Sequence, residues 1–191
     1  MDRPVTHLTG EEALIAMVEH AVEQEDVEKI VDELRNGLCS LIRNDTVKLS
    51  AHLRECCGDH YARRLVHKDD EKGYSIIAMT WGKGQATPLH DHGGMWCVEG
   101  VWEGSIDVQQ YELLEHTSEK FRFEKRNSFQ AGRGSAGCLI PPHEYHRICN
   151  AGDETAVSIH IYGGNLTRCA VFEPHQGGWY VRKEKKLGLD L

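Results

Sequence analysis

Residues 88–100 read PLHDHGGMWCVEG. Two histidines flank an aspartate, a double glycine follows, and Cys97 stands five positions beyond His92. In an extended strand the side-chain period is two, so His90 and His92 project to one face and Asp91 to the other. Two imidazoles so placed can chelate one metal ion. A third candidate stands in PPHEYHRICN (141–150), where His146 follows a proline-defined turn at the head of a strand. Brought in from a neighbouring antiparallel strand, it would complete a facial triad of histidines. Three readings of Cys97 stay open: a soft thiolate ligand, a nucleophile, or a bystander in the strand. Glu99 shares its strand face as an acidic alternative, and His143 is the alternative to His146.

The surroundings favour an all-β body. From Tyr61 onward short β-like runs are punctuated by glycine and proline. The expected strands are Ala62–His67, Tyr74–Trp81, Cys97–Trp102, Ser105–Leu113, Phe121–Lys125, Cys138–Ile140, His146–Cys149 and Ala156–Tyr162. Many short strands at even spacing predict a sandwich or barrel. The first sixty residues instead carry apolar side chains at helical spacing: Leu14, Met17, Val18 and Val22, then Val27, Ile30, Val31, Leu34, Leu38, Leu41 and Ile42. Thr9 to Glu12 fits a capping box, and a third helix is expected over Asp45–Cys57, stopped by Gly58. Residues 1–60 are therefore read as a helical segment packed outside the barrel and part of the same domain, with 61–191 holding the barrel and its site.

A chain of 191 residues suits one domain with a substantial core. The net charge of -8 argues against nucleic acid as a partner, and no apolar run is long enough to span a membrane. The start, MDRPVTHLTGEEAL, lacks the apolar stretch of a signal peptide. Seven cysteines without a CxxC pair point to a reducing compartment, and a cytoplasmic monomer is expected. The basic run Arg182–Lys186 reads as a solvated tail.

Two further patterns carry chemistry. In SIHIY (158–162) alternation puts Ser158, His160 and Tyr162 on one face, a polar ladder that burial would require to be hydrogen-bonded. In YARRLV (61–66) an arginine at a barrel mouth can grip a carboxylate through parallel hydrogen bonds.

The stretch Gly84-x5-His90-x-His92-x4-Cys97-x6-Gly104 resembles the first cupin motif, with Cys97 where a glutamate ligand is usual. Pro141-x-His143-x2-His146-x3-Asn150 resembles the second, with His146 in the ligand's place. Together with Tyr61-x-Arg63 and Ser158-x-His160-x-Tyr162, over roughly Tyr61 to Tyr162, the chain resembles thiol dioxygenases of the cysteine dioxygenase family. The resemblance implies a double-stranded β-helix barrel and Fe(II) held by His90, His92 and His146. It implies Arg63 and Tyr61 as substrate-carboxylate contacts, and Ser158, His160 and Tyr162 beside the reacting atoms. It also implies a thioether between Cys97 and Tyr162. The implied reaction inserts both atoms of O2 into a small thiol, giving a sulfinic acid. Arg63 favours L-cysteine, with 3-mercaptopropionate and mercaptosuccinate as alternatives; Arg64 and Arg168 are further candidate anion contacts. A cupin enzyme acting on a non-thiol substrate and a non-catalytic metal-binding cupin are the competing readings.

Overall fold

The computed structural model describes residues 8–191. Residues 1–7, the first half of the stretch MDRPVTHLTGEEAL on which the signal-peptide expectation rests, lie outside the described residues. Two helices, α1 (Glu11–Val22) and α2 (Val27–Arg43), precede eleven strands. These are β1 (Ala62–Asp69), β2 (Tyr74–Trp81), β3 (Leu89–His90), β4 (Cys97–Glu103), β5 (Ser105–His116) and β6 (Lys120–Gly132). They continue as β7 (Ala136–Leu139), β8 (His146–Cys149), β9 (Ala156–Tyr162), β10 (Arg168–Pro174) and β11 (Tyr180–Lys186). One sheet runs β1-β2-β9-β4-β7, and the other closes through β10-β11-β6-β5-β8-β3. All pairings are antiparallel, the layout of a cupin double-stranded β-helix.

The helices bury their apolar stripe against the outer face of the first sheet. Leu34, Leu38 and Ile42 of α2 are fully buried with Val98, Ile159 and Ile161. A side chain at Gly100 would meet Ile42 Cδ1 at 3.2 Å and Leu38 Cδ1 at 3.3 Å, so the helix lies almost on the β4 backbone.

Three local expectations are corrected. α1 starts at Glu11, not after a Thr9 cap: Thr9 forms a bridge with Lys48, and Glu11 Oε2 accepts from the Leu8 N–H at 2.7 Å. The third helix is reduced to a single 3₁₀ turn, Ala51–Arg54. Asp45 takes φ 52°, and the buried Val47 and Leu49 alternate around a Lys48 whose N–H donates to the Thr9 carbonyl at 2.9 Å, an extended pattern. The third is the supposed basic tail: Arg182–Lys186 belongs to β11, paired along its length with β10. All seven cysteines are free thiols. No helix among the described residues is long and apolar enough to cross a membrane.

Candidate metal centre and its surroundings

His90 and His146 face each other directly across the β3–β8 ladder. His92 lies just past the end of β3, so the two-residue strand supplies only half of the expected extended pair. The chain then turns at once. Gly93 and Gly94 adopt φ 62° and 80°, where a Cβ is disfavoured, and Met95 N–H donates to the His92 carbonyl. Asp91 points away from the barrel and fixes this turn, its Oδ1 accepting from Gly93 N–H at 3.1 Å and Ala170 N–H at 2.8 Å. The double glycine thereby returns the chain to β4 with Cys97 buried inside.

The three imidazoles form a compact triangle, with ring centroids 4.6–5.1 Å apart. Their ligand atoms lie within 4.8 Å of one another. Each ring has an oxygen behind its Nδ1. The Pro88 carbonyl accepts from His90 Nδ1 at 3.0 Å. Glu144 Oε2 lies 3.6 Å from His92 Nδ1 and accepts the His92 backbone N–H at 2.9 Å. Glu99 Oε1 lies 3.7 Å from His146 Nδ1. Only the His90 contact is a hydrogen bond, and it favours the tautomer whose Nε2 lone pair is free for a metal; the two carboxylate oxygens stand just beyond hydrogen-bond reach of the other rings. Burial holds His90 down to about pKa 3 and His146 well below the usual imidazole range, so both are neutral, ligand-competent bases near neutral pH. Both ring nitrogens of His146 are buried without a hydrogen-bond partner. Buried polar atoms are ordinarily satisfied, and a divalent cation on three imidazoles would satisfy Nε2 here.

Cys97 stands apart from that triangle and in register with Tyr162 across β4–β9. Burial raises its pKa well above the usual thiol value, Glu99 adds to this, and a hydrogen bond with the Tyr162 hydroxyl opposes it. Tyr162 is likewise shifted well upward by burial, with Cys97 second. Glu99 is not part of that triangle: with Cys97 and His160 it forms a second buried cluster whose donor atoms lie within 4.8 Å of one another, and burial raises its carboxyl to about 8. His143 is exposed on the surface.

The SIHIY ladder is wired differently from a simple Ser–His–Tyr chain. Trp81 Nε1–H donates to Ser158 Oγ at 2.8 Å, and Ser158 Oγ lies 2.8 Å from His160 Nε2. The other nitrogen, His160 Nδ1, is 3.5 Å from Glu99 Oε2. Both His160 nitrogens are thus directed away from Tyr162, which His160 meets by stacking at 6.1 Å and 19°.

Arg63 and Arg64 part company. Arg63 is opposite the chamber-lining Met79 and lines the same chamber as the three histidines, His160, Tyr162 and Tyr61. Its Nη1 donates to the Gly188 carbonyl at 2.8 Å, while Nε is buried with no partner. Arg64 turns the other way, donating to Thr80 Oγ1, the Glu55 carbonyl and the Leu191 carbonyl. Tyr61 stacks on Trp81 at 4.6 Å. Arg168 is largely exposed, pairs with Glu184 at 3.7 Å and lines a separate surface groove. Trp81, Glu144 and Lys185 are not among the residues the sequence suggests for the site: Glu144 lies within PPHEYH beside His146, and Lys185 within the basic run read as a solvated tail.

The fold and the imidazole cluster define a cupin with a candidate metal centre. The sequence profile of the family described as cysteine dioxygenase type I matches residues 14–175, and the chain belongs to that family. Cysteine dioxygenase type 1 of Rattus norvegicus is 23% identical over 118 residues, 61% of this chain and 58% of the relative. The Homo sapiens protein of the same name gives the same figures. The match thus spans little more than half the length of these curated relatives. Among solved structures, a conserved protein with a double-stranded beta-helix domain from Klebsiella pneumoniae is similar. It has TM-score 0.50 and 15% identity, covering 64% of this chain and 93% of that one, a likeness of fold alone.

Proposed function

We propose that this protein is an Fe(II)-dependent thiol dioxygenase acting on a small thiol carboxylate, with L-cysteine, giving cysteine sulfinic acid, the first candidate. The observation that carries the reading is an unpaired, buried Arg63 Nε in the same chamber as three neutral imidazoles. A substrate carboxylate would satisfy that donor, while the thiol faces His90, His92 and His146. Family membership supports the same reaction class. The balance R–SH + O2 → R–SO2H needs no external reductant.

Held by three neutral ligands, Fe(II) would keep its full positive charge, favour the thiolate over the thiol and supply the redox chemistry that O2 needs. The protein's own groups do the rest. Arg63 and Tyr61 orient the carboxylate, and the apolar walls of Met79, Ile148 and Leu166 limit water. Tyr162, kept protonated by its burial, presents a hydroxyl donor to the reacting atoms. Ser158 and Trp81 fix the His160 ring beside it. Cys97 and Tyr162 join through a thioether in which Sγ bonds the ring carbon next to the hydroxyl; the S–H and ring C–H bonds break, and O2 takes up the two hydrogens and two electrons as hydrogen peroxide.

The test is anaerobic loading with Fe(II), then O2 uptake and sulfinate formation with L-cysteine, 3-mercaptopropionate, mercaptosuccinate and cysteamine separately. Stoichiometric O2 uptake and sulfinate with a carboxylated thiol, and weak turnover of cysteamine, is the expected result. No turnover of any thiol overturns the proposal.

A further inference from the structure

β11 carries a second cation to the chamber. Lys185 lies opposite Cys169 in the β10–β11 ladder and lines the metal chamber together with it. Its Nζ sits 5.8 Å from the centre of the Tyr61 ring. On the same hairpin Lys183 pairs with Glu173 and Arg168 with Glu184, whereas Lys185 makes no ion pair among the described residues. The chamber wall, among the described residues, includes two formal cations, Arg63 and Lys185, and no aspartate or glutamate. A neighbouring vestibule shares Tyr61, Arg63, Lys185 and Leu187 with it. The one acid in that vestibule, Asp190, is already engaged by the Arg63 N–H at 2.8 Å and by His60 Nε2 at 3.0 Å.

From this arrangement we infer that the preferred substrate is a thiol bearing two carboxylates, one held by Arg63 and the second by Lys185. The inference rests on the thiol dioxygenase reading and, within it, puts a dicarboxylate thiol ahead of L-cysteine as the substrate. A thiol monocarboxylate leaves Lys185 unanswered, and an α-ammonium near it is repelled. A second carboxylate instead gains a charge-assisted hydrogen bond, on the order of tenfold to a hundredfold in affinity.

The Fe(II)-loaded protein and its Lys185→Gln and Lys185→Arg variants are compared with mercaptosuccinate and 3-mercaptopropionate. The wild-type protein is expected to favour mercaptosuccinate in kcat/KM. Lys185→Gln lowers the ratio of the two kcat/KM values about tenfold or more, mainly through KM, and Lys185→Arg restores most of it. A wild-type preference for the monocarboxylate, or equal losses for both thiols, overturns the inference while leaving the dioxygenase reading intact. Calorimetric binding of succinate and propionate gives a readout free of turnover. Tighter binding of succinate, lost in Lys185→Gln, supports the second anion site even if no thiol is oxidised; equal binding of the two acids overturns it.

Discussion

Ser158→Ala isolates the polar row behind the chamber. The Ser158 hydroxyl is fully buried and stands between the Trp81 Nε1–H and His160 Nε2, each at 2.8 Å. Truncation leaves the indole donor of Trp81, itself fully buried, and a ring nitrogen of a nearly fully buried His160 without partners. Each orphaned group costs about 1–3 kcal/mol, so a loss of about 3 kcal/mol is expected even if one is partly relieved. For a chain of this size that corresponds to a fall in Tm of about 6–12 °C. Trp81→Phe removes the donor instead, and in the double variant one orphan disappears. The two single losses should therefore overshoot the double loss by about 1–2 kcal/mol. Chemical unfolding of the four proteins measures that coupling energy. A Ser158→Ala variant within about 0.5 kcal/mol of wild type, or additive losses, would refute the claim that the row is closed. A water entering from the apolar cavity on the far side of the row, between Val101, Ile106 and Ala131, would produce that refuting outcome.

Three other predictions concern the groups around the centre. Glu99→Leu removes the oxygen behind His146 Nδ1 and should weaken Co(II) binding about tenfold to a hundredfold, measured by competition with a coloured chelator. An unchanged affinity would show that Glu99 does not orient the ligand. After aerobic incubation with Fe(II) and thiol, intact-mass spectrometry should show the protein lighter by a hydrogen from each of Cys97 and Tyr162, and Cys97→Ala should abolish the change. The hydrogen bond His60 gives to Asp190, then that to Asp59, raises its pKa above the ordinary value. The tail contact it makes is therefore fully stabilising below about pH 6.5 and is lost as pH rises through the raised value. Imidazole proton NMR should find His60 titrating above a free histidine and Asp190→Asn bringing it down; a His60 titrating at or below the free value would contradict this.

How far the sequence could be read follows from where the side-chain pattern reports burial. β2, β8 and β9 coincide with their expected bounds: Gly73 and Gly82 bracket the wholly buried β2, Asn150 follows β8, and Gly163 closes the alternation of β9. β11 was missed because YVRKEKK has no alternation of apolar and polar residues, its polar side chains lying mostly exposed. His90, His92, His146 and the SIHIY residues announce themselves by spacing along one strand or turn. The choice between Arg63 and Arg64 depends on a register: Arg63 pairs with the chamber-lining Met79, Arg64 with Ala78 in the outer core. Trp81 and Lys185 reach the chamber from strands distant in sequence, and no local motif encodes that approach.

That distribution has a chemical consequence. His90 and His146 lie on facing strands of one sheet, while Ser158, His160, Tyr162 and Cys97 lie on two central strands of the other. A shift of either sheet would spoil the centre, so these positions are tied to the barrel's closure. Arg63 is on the edge strand β1, and Lys185 is close to the end of β11, beside a C-terminal segment pinned by Arg63 and Arg64. Substitution of Lys185, whose ladder pairing with Cys169 runs through the backbone, would change what the chamber attracts and leave in place the strand pairing that aligns the histidines. Charge selection of the substrate can therefore vary separately from metal binding, and a kcat/KM ratio that moves with Lys185 while metal affinity stays fixed is the measurable form of that separation.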